Sequence, residues 1–210
     1  MTLPDTNASP IYGLILAGGH SRRMGKDKAE LSYQPDGLPQ WLATTGLLSP
    51  LVEKTYISVR SDQTLRGADA LALGQLLPDV ADSQGPLSGI LTAMSLHPDA
   101  AWLVVACDLP LLTGTVIEFL LRHRGIASAL AYRSNFDSLP EPLCTLYEPA
   151  MKPVFERYLA ADMRCPRKVL IKEADHVQLL DLPQADALDN ANTPEDFERL
   201  SARVKELVSK

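Results

Sequence analysis

The sequence predicts an α/β fold, a three-layer α/β/α sandwich built on a mostly parallel sheet. "IYGLILA" (11–17) and "AWLVVAC" (101–107) are short continuous apolar runs, the pattern of strands that are covered on both faces. "KTYISVR" (54–60) is rich in residues that favour strands and lies between them. Helical patterns separate these runs, and strands that alternate with helices usually pair in parallel.

The remaining elements continue this alternation. Further strands are predicted over residues 125–132, 142–148 and 176–182. Helices are predicted over residues 40–51, 86–97 and 115–123, and from residue 194 onward. Thr115 and Glu118 have capping-box spacing at the start of the third helix, and Thr193 is the predicted N-cap of the last. Ligands of such sheets bind beyond the carboxyl ends of the strands, so the loop after the first strand is a candidate ligand site.

Length and charge limit the function classes. The 210 residues carry a net charge of −6; we expect one domain over residues 10–210, with residues 1–9 as a flexible tail. The acidic balance argues against a nucleic-acid partner, and the sequence has no membrane-length apolar run and no signal-peptide pattern. We therefore expect a cytoplasmic protein. Cys107, Cys144 and Cys165 lack zinc-type or CxxC spacing, which argues against a structural zinc site.

The loop after the first predicted strand concentrates basic residues beside two glycines, in "LILAGGHSRRMGKDK" (14–28). Gly18 and Gly19 permit close approach of backbone N–H groups to a phosphate, and Arg23 and Lys28 are suitable partners for a polyphosphate. A glycine turn with solvated charges has the same local pattern. The loop contains neither the P-loop motif nor the G-x-G-x-x-G dinucleotide motif.

A longer pattern resolves this ambiguity. Residues 16–28 match L-A-G-G-x-S-x-R-M-G-x-D-K, which closely resembles the signature of the molybdenum cofactor guanylyltransferases, the MobA-like nucleotidyltransferases. "DSQGPLSGI" (82–90), "VACDLPLL" (105–112) and "DNANTPEDF" (189–197) are similar to three further segments of that family, in the same order. The resemblance covers about residues 11 to 200 and implies a Rossmann-like nucleotidyltransferase fold.

The resemblance also implies a reaction, the Mg²⁺-dependent transfer of GMP from GTP to the terminal phosphate of molybdopterin or molybdenum cofactor, with release of pyrophosphate. Asp108 follows an apolar strand in a turn restricted by Pro110, where a carboxylate is well placed to bind Mg²⁺. Arg23 and Lys28 would neutralise the triphosphate, so the expected catalytic residues are Arg23, Lys28 and Asp108.

The implied GTP pocket combines the first loop with two later segments. Its expected residues are Leu16, Ala17, Gly18, Gly19, Ser21, Lys28, Asp79 and Gly89. Asp79 would bind the guanine edge, with Asp82 as a close competitor, because a carboxylate accepts hydrogen bonds from guanine N–H groups. Related cytidylyltransferases usually carry L-A-A-G where this chain has Gly19, and this difference favours GTP over CTP.

Four residues are expected on the pterin side, Arg167, Lys168, Asn190 and Asn192. "RCPRKV" (164–169) resembles a basic stretch that family members place near the pterin phosphate, although a solvated basic turn has the same composition. The two asparagines match the family's N-x-N-T-P-E segment, and a helix-entry turn is the alternative. Glu141 stands where the family often has histidine, a departure on the acceptor side.

Two other functions remain open at this point. One is a CTP- or sugar-phosphate-specific nucleotidyltransferase of the same superfamily, and the other is a non-catalytic module that binds nucleotides and handles the cofactor. The expected partners are GTP and molybdopterin or molybdenum cofactor, and beyond them molybdoenzymes or other cofactor-biosynthesis proteins. The expected assembly is a monomer or a weak homo-oligomer.

Overall fold

One open sheet organises the protein. The computed structural model describes residues 9–18, 27–34, 36–67, 75–78 and 85–208. The strands are β1 (Ile11–Leu16), β2 (Lys54–Val59), β3 (Gln75–Pro78), β4 (Ala101–Ala106), β5 (Ala129–Arg133), β6 (Pro140–Tyr147) and β7 (Val177–Leu180). Their order is β3-β2-β1-β4-β6-β5-β7, and every pair is parallel except those made by β6. The predicted mostly parallel α/β fold is confirmed.

Six helices flank this sheet in the described part of the chain. They are α1 (Gln40–Leu48), α2 (Pro86–Leu96), α3 (Gly114–Arg122), α4 (Met151–Ala160), α5 (Pro166–Lys172) and α6 (Pro194–Val208). Short 3₁₀ turns occur at Lys28–Glu30 and Ala174–His176. None of these described helices combines the length and the apolar character that crossing a membrane requires.

The two faces of the sheet carry separate cores, because successive strand residues point to opposite sides. Ile15 packs in the same cluster as α1 and α3, whereas Leu14 packs in the cluster that contains α2, α4 and α5. Both side chains are fully buried, which contributes about 1.5–3 kcal/mol for each. A third cluster joins α6 to the segment around Leu31 and Tyr33. This arrangement is the predicted three-layer sandwich.

Of the two helix N-caps predicted from the sequence, one is confirmed and the other is wrong. Thr193 Oγ1 accepts a hydrogen bond from Asp196 N at 3.2 Å, so the predicted cap of α6 is confirmed. The prediction for α3 was wrong, since its N-cap is Thr113, whose hydroxyl accepts from Val116 N at 3.4 Å. Thr113 has the extended backbone of a cap, and Thr115 lies inside the first turn.

Strand register brings three strands together at one edge of the sheet. Leu16 pairs with Ala106, so β1 and β4 end side by side. Val105 pairs with Cys144 of the antiparallel β6, so the first residues of β6 run beyond the end of β4. The ends of β1 and β4 and the beginning of β6 therefore lie at one common edge.

Candidate active site

Lys28 links three distant segments of the chain at this edge. Its Nζ donates to Asp108 Oδ2 at 2.8 Å and to Asn192 Oδ1 at 2.8 Å. Asn192 Nδ2 donates in turn to Asn190 Oδ1 at 3.1 Å. The structure thus brings together four residues that the sequence predicted for the site. The Lys28 and Asp108 side chains are 20% and 17% exposed, enough for a substrate to reach them.

Local structure fixes the position of each member of this cluster. Lys28 begins the 3₁₀ turn that Asp27 caps by accepting a hydrogen bond from Ala29 N at 3.1 Å. Asp108 follows Cys107, whose N–H donates to Leu16 O at 3.2 Å and extends the pairing of β4 with β1. Asn192 is held by Asp196, whose carboxylate accepts from Asn192 N at 3.0 Å.

Burial governs the ionisable groups around Asp108. Burial raises the pKa of the Cys107 thiol, and the neighbouring Asp108 charge acts in the same direction, so this thiol stays protonated and is a poor nucleophile. Tyr33 is buried and its pKa is also raised, first by burial and then by Asp108.

A cavity of about 250 Å³ opens beside Asp108. Its lining includes Asp108, Leu109, Glu141, Leu143, Arg167 and Asn190. Arg167 Nη2 donates to Glu141 Oε2 at 2.7 Å, and its Nη1 donates to Asp137 Oδ2 at 3.0 Å. The cavity therefore combines one guanidinium with two carboxylates in its wall, a polar pocket adjoining the Lys28 cluster.

The predicted pterin-side residues divide into two groups. Arg167 and Asn190 line the cavity, and Asn192 contacts Lys28. Lys168 is exposed and is not part of the cavity wall. The basic stretch itself is not a turn, because Pro166 is the first residue of α5.

The predicted nucleotide residues are described only in part. Leu16 is the last residue of β1, Ala17 is buried directly after it, and Gly18 follows. Gly89 is buried in α2. Four predicted residues lie outside the described residues: Gly19, Ser21, Arg23 and Asp79. Asp82, the competitor of Asp79, lies outside them as well. The predicted tail also lies outside them, apart from Ser9.

Comparison with known families decides the assignment. The model of the MobA-like NTP transferase domain matches residues 13–177. The chain belongs to the MobA-like NTP transferase family. This membership confirms both the resemblance seen in the motifs and the predicted enzyme class, a nucleotidyltransferase.

Individual relatives support the same family. The chain is 32% identical to a molybdenum cofactor guanylyltransferase of Pseudomonas paraeruginosa, over 92% of this chain and 96% of that protein. It is 37% identical to a molybdenum cofactor biosynthesis bifunctional protein of Synechocystis sp., covering 94% of this chain. The chain spans 55%, about half, of that longer relative.

Solved structures share the fold at low sequence identity. The molybdopterin-guanine dinucleotide biosynthesis protein A of Archaeoglobus fulgidus has a TM-score of 0.74 and 21% identity, over 93% of this chain and 99% of that one. A nucleotidyl transferase of Methanothermobacter has a TM-score of 0.75 and 13% identity, over 94% and 99%. These similarities confirm the predicted Rossmann-like fold of the nucleotidyltransferases.

Three residues near this site were not predicted from the sequence to contribute to it. Asp27, Arg60 and Gln63 form a polar network beside Ala17 and Gly18. Asp27 lies within the recognised motif, so a signal for it was present. Arg60 and Gln63 follow β2; Arg60 ends the strand predicted over residues 54–60, and no motif marked either residue as part of the site.

The residues near Asp108 fit Mg²⁺ as a ligand set. In the described ranges, no three His, Cys, Asp or Glu side chains come close enough to form a metal cage. Mg²⁺ instead prefers one or two carboxylates together with substrate phosphates. Asp108 supplies one carboxylate, and the Asn190 and Asn192 amide groups lie in the same cluster. This hard oxygen donor set suits Mg²⁺ better than softer transition metals.

Proposed function

We propose that the protein transfers GMP from GTP to the terminal phosphate of molybdopterin or molybdenum cofactor and releases pyrophosphate. An oxygen of the acceptor phosphate forms a bond to the α-phosphorus of GTP, and the bond from that phosphorus to the bridging oxygen of pyrophosphate breaks. One observation supports this reaction above the others. The Lys28–Asp108 pair lies at the edge of the sheet where β1 and β4 end, and Asp108 also lines a polar cavity of a size suited to part of an acceptor.

On the donor side, Lys28 would neutralise the triphosphate as negative charge develops on the leaving pyrophosphate. Positioning and charge neutralisation account for most of the catalysis in phosphoryl transfer, so no side-chain nucleophile is required. Arg23 would share this task with Lys28. The main-chain N–H groups of Gly18 and Gly19, with Ser21, would bind the phosphates. The N–H of Ala17 donates to Ser58 O at 2.9 Å, so Ala17 would line the pocket without donating to a phosphate.

Asp108 would hold Mg²⁺, assisted by the amides of Asn190 and Asn192. When bound, the ion would supply charge neutralisation for the transferred phosphate. Lys28 occupies Oδ2 of Asp108, and no described residue donates a hydrogen bond to its Oδ1. Asp108 would bind the ion through Oδ1 while its Oδ2 orients Lys28.

The acceptor would occupy the cavity between β6, α5 and the turn at Asn190. Arg167 lines this cavity and would bind the phosphate of the acceptor, since a guanidinium pairs well with phosphate oxygens. Glu141 can accept hydrogen bonds from N–H groups of a pterin ring. The departure from histidine at this position therefore remains compatible with a pterin acceptor.

Base selection belongs to the same proposal. Cytidylyltransferases usually carry L-A-A-G where this chain has L-A-G-G, and this difference at Gly19 favours GTP over CTP. Asp79, with Asp82 as competitor, would bind the guanine edge. Gly89, in α2, would line the base pocket.

The test is a nucleotide panel. The purified protein is incubated with Mg²⁺, molybdopterin and each of GTP, CTP, ATP and UTP; pyrophosphate release is measured and the adduct is identified by its mass. We expect a GMP adduct with GTP in clear excess. Faster transfer from CTP would show that the Gly19 interpretation is wrong. Nucleotide binding with no pyrophosphate from any nucleotide would favour a non-catalytic module.

A further inference from the structure

The side-chain amide of Gln63 connects two segments that meet at the donor side. Gln63 Nε2 donates to Ala17 O at 3.0 Å and to Asp27 Oδ2 at 2.8 Å. Its Oε1 accepts from Arg60 N at 3.1 Å. Both amide hydrogens and the carbonyl oxygen are thus engaged, which fixes the orientation of the side chain.

Arg60 makes a second connection between the same two segments. Its Nη1 donates to Gly18 O at 3.1 Å, and its Nη2 lies 3.6 Å from Asp27 Oδ2. The Arg60 and Asp27 side chains are only 21% and 22% exposed, so solvent screens this pair less than a surface ion pair. One short turn after β2 therefore binds the carbonyl groups at the end of β1 and the carboxylate that precedes Lys28.

We propose that Gln63, with Arg60 in support, is a positioning residue for Lys28. Asp27 caps the 3₁₀ turn on which Lys28 lies, through its bond from Ala29 N. Because Gln63 holds the other carboxylate oxygen of Asp27 and also holds Ala17 O, it sets the separation between the end of β1 and this turn. Lys28 Nζ is thereby kept beside Asp108. The inference rests on the proposed function only in assigning Lys28 to the triphosphate.

The hydrogen bonds that Gln63 donates determine which substitution tests its role. Gln63→Glu keeps the size of the side chain but removes both donors and places a carboxylate against Asp27 and Ala17 O. We expect the dissociation constant for Mg-GTP, measured by calorimetry, to rise about tenfold, the effect of losing a charge-assisted hydrogen bond. The KM for the acceptor should stay unchanged, because the lining of the cavity includes neither Gln63 nor its hydrogen-bond partners.

Two further variants separate positioning from a general loss of stability. Gln178→Glu, on β7 at the far edge of the sheet, adds the same charge and should leave GTP affinity unchanged. The double variant Gln63→Glu/Asp27→Asn exchanges the amide and the carboxylate, so that residue 27 can donate to residue 63. It should recover part of the lost affinity, which a purely structural defect would not do. Gln63→Met removes the hydrogen bonds without adding charge and serves if Gln63→Glu does not fold.

The outcomes distinguish the inference from the function. If wild-type protein binds Mg-GTP and the folded Gln63 variants bind it equally well, the inference is wrong and the proposed function stands. The absence of any recovery in the exchange variant would also overturn it. If wild-type protein itself does not bind Mg-GTP, the proposed function fails, and the role of Gln63 fails with it.

Discussion

The proposed donor and acceptor sides of the site are held together by different kinds of contact. On the donor side, Gln63 and Arg60 bind main-chain carbonyl groups at the end of β1. On the acceptor side, Arg167 is held by the side chains of Asp137 and Glu141. Gln63 and Arg60 thus tie the proposed donor side to the backbone of the sheet as well as to Asp27, whereas these contacts of Arg167 on the proposed acceptor side are made to side chains.

Strand direction produces this difference. β1, β2 and β4 run in parallel, so their carboxyl ends lie side by side, and Asp108, which follows β4, contacts Lys28. β6 runs antiparallel and contributes its first residues instead, as part of a hairpin with β5. These first residues of β6 form part of the cavity wall beside Asp108.

The largest expected effect comes from Asp108, where the two sides meet. Asp108→Asn removes the negative charge that pairs with Lys28 and the carboxylate proposed for Mg²⁺, while it keeps the shape of the side chain. We expect turnover to fall by about three orders of magnitude or more, as when a central electrostatic group is lost. Pyrophosphate release measures this, with circular dichroism as the control for folding. Unchanged activity would remove Asp108 from the mechanism.

A donor-side substitution should be the next largest. Lys28→Met keeps the aliphatic stem and removes the charge, so kcat/KM for GTP should fall about a hundredfold, with little change in the KM for the acceptor. Steady-state kinetics with each substrate varied in turn would measure this. Equal losses for both substrates would indicate that Lys28 serves the whole site, and the distinction between the two sides would then disappear.

An acceptor-side substitution should give the opposite pattern. Arg167→Ala removes the guanidinium from the cavity wall, and we expect the KM for the acceptor to rise about tenfold while GTP affinity is unchanged. Arg122→Ala, on the exposed surface of α3, is the matched control and should alter neither value. A change in GTP affinity in Arg167→Ala would show that the cavity is not specific to the acceptor.

The smallest effect concerns the turn that joins the sides. Hydrogen bonding from the backbone N–H of Asn192 lowers the pKa of Asp196, with smaller contributions from Thr193 and Arg199. A carboxylate whose pKa is lowered in the folded protein stabilises it above the unfolded pKa of about 3.9 and loses this contribution as pH falls through the folded pKa. Asp196→Asn should therefore lower the melting temperature by about 1–3 °C at pH 7. The difference in melting temperature between Asp196→Asn and wild type should shrink below about pH 4. Calorimetry across this pH range measures it, and a difference that stays constant would show that the charge of Asp196 plays no part.

Sequence alone was informative where burial dictates a pattern. β1 and β4 are buried on both faces and appear as continuous apolar runs, so their prediction was confirmed to within a residue at each end. The edge strand β3 could not be recognised in this way, because its four residues are mostly exposed. α4 was missed too, since Pro153 near its start and its charged residues obscure the apolar pattern of Met151 and Phe155.

The candidate site follows the same rule. Lys28 and Asp108 belong to contiguous motifs next to strong strands, so their proximity could be anticipated from the parallel topology. The ion pair between Arg167 and Glu141 joins two segments 26 residues apart through an antiparallel strand and a short helix. Neither the reversal of β6 nor the helical state of residues 166–172 was evident from local sequence, because two prolines interrupt the start of β6 and basic residues dominate α5.

The hydrogen bond between Lys28 and Asn192 spans 164 positions of the chain. During synthesis the sheet region is made first, and Asn192 emerges only after the last strand has left the ribosome. A nascent chain can therefore form these strands and still lack Asn192, one of the groups that hold the lysine. The contact between Lys28 and Asn192 would then form late, with the docking of α6.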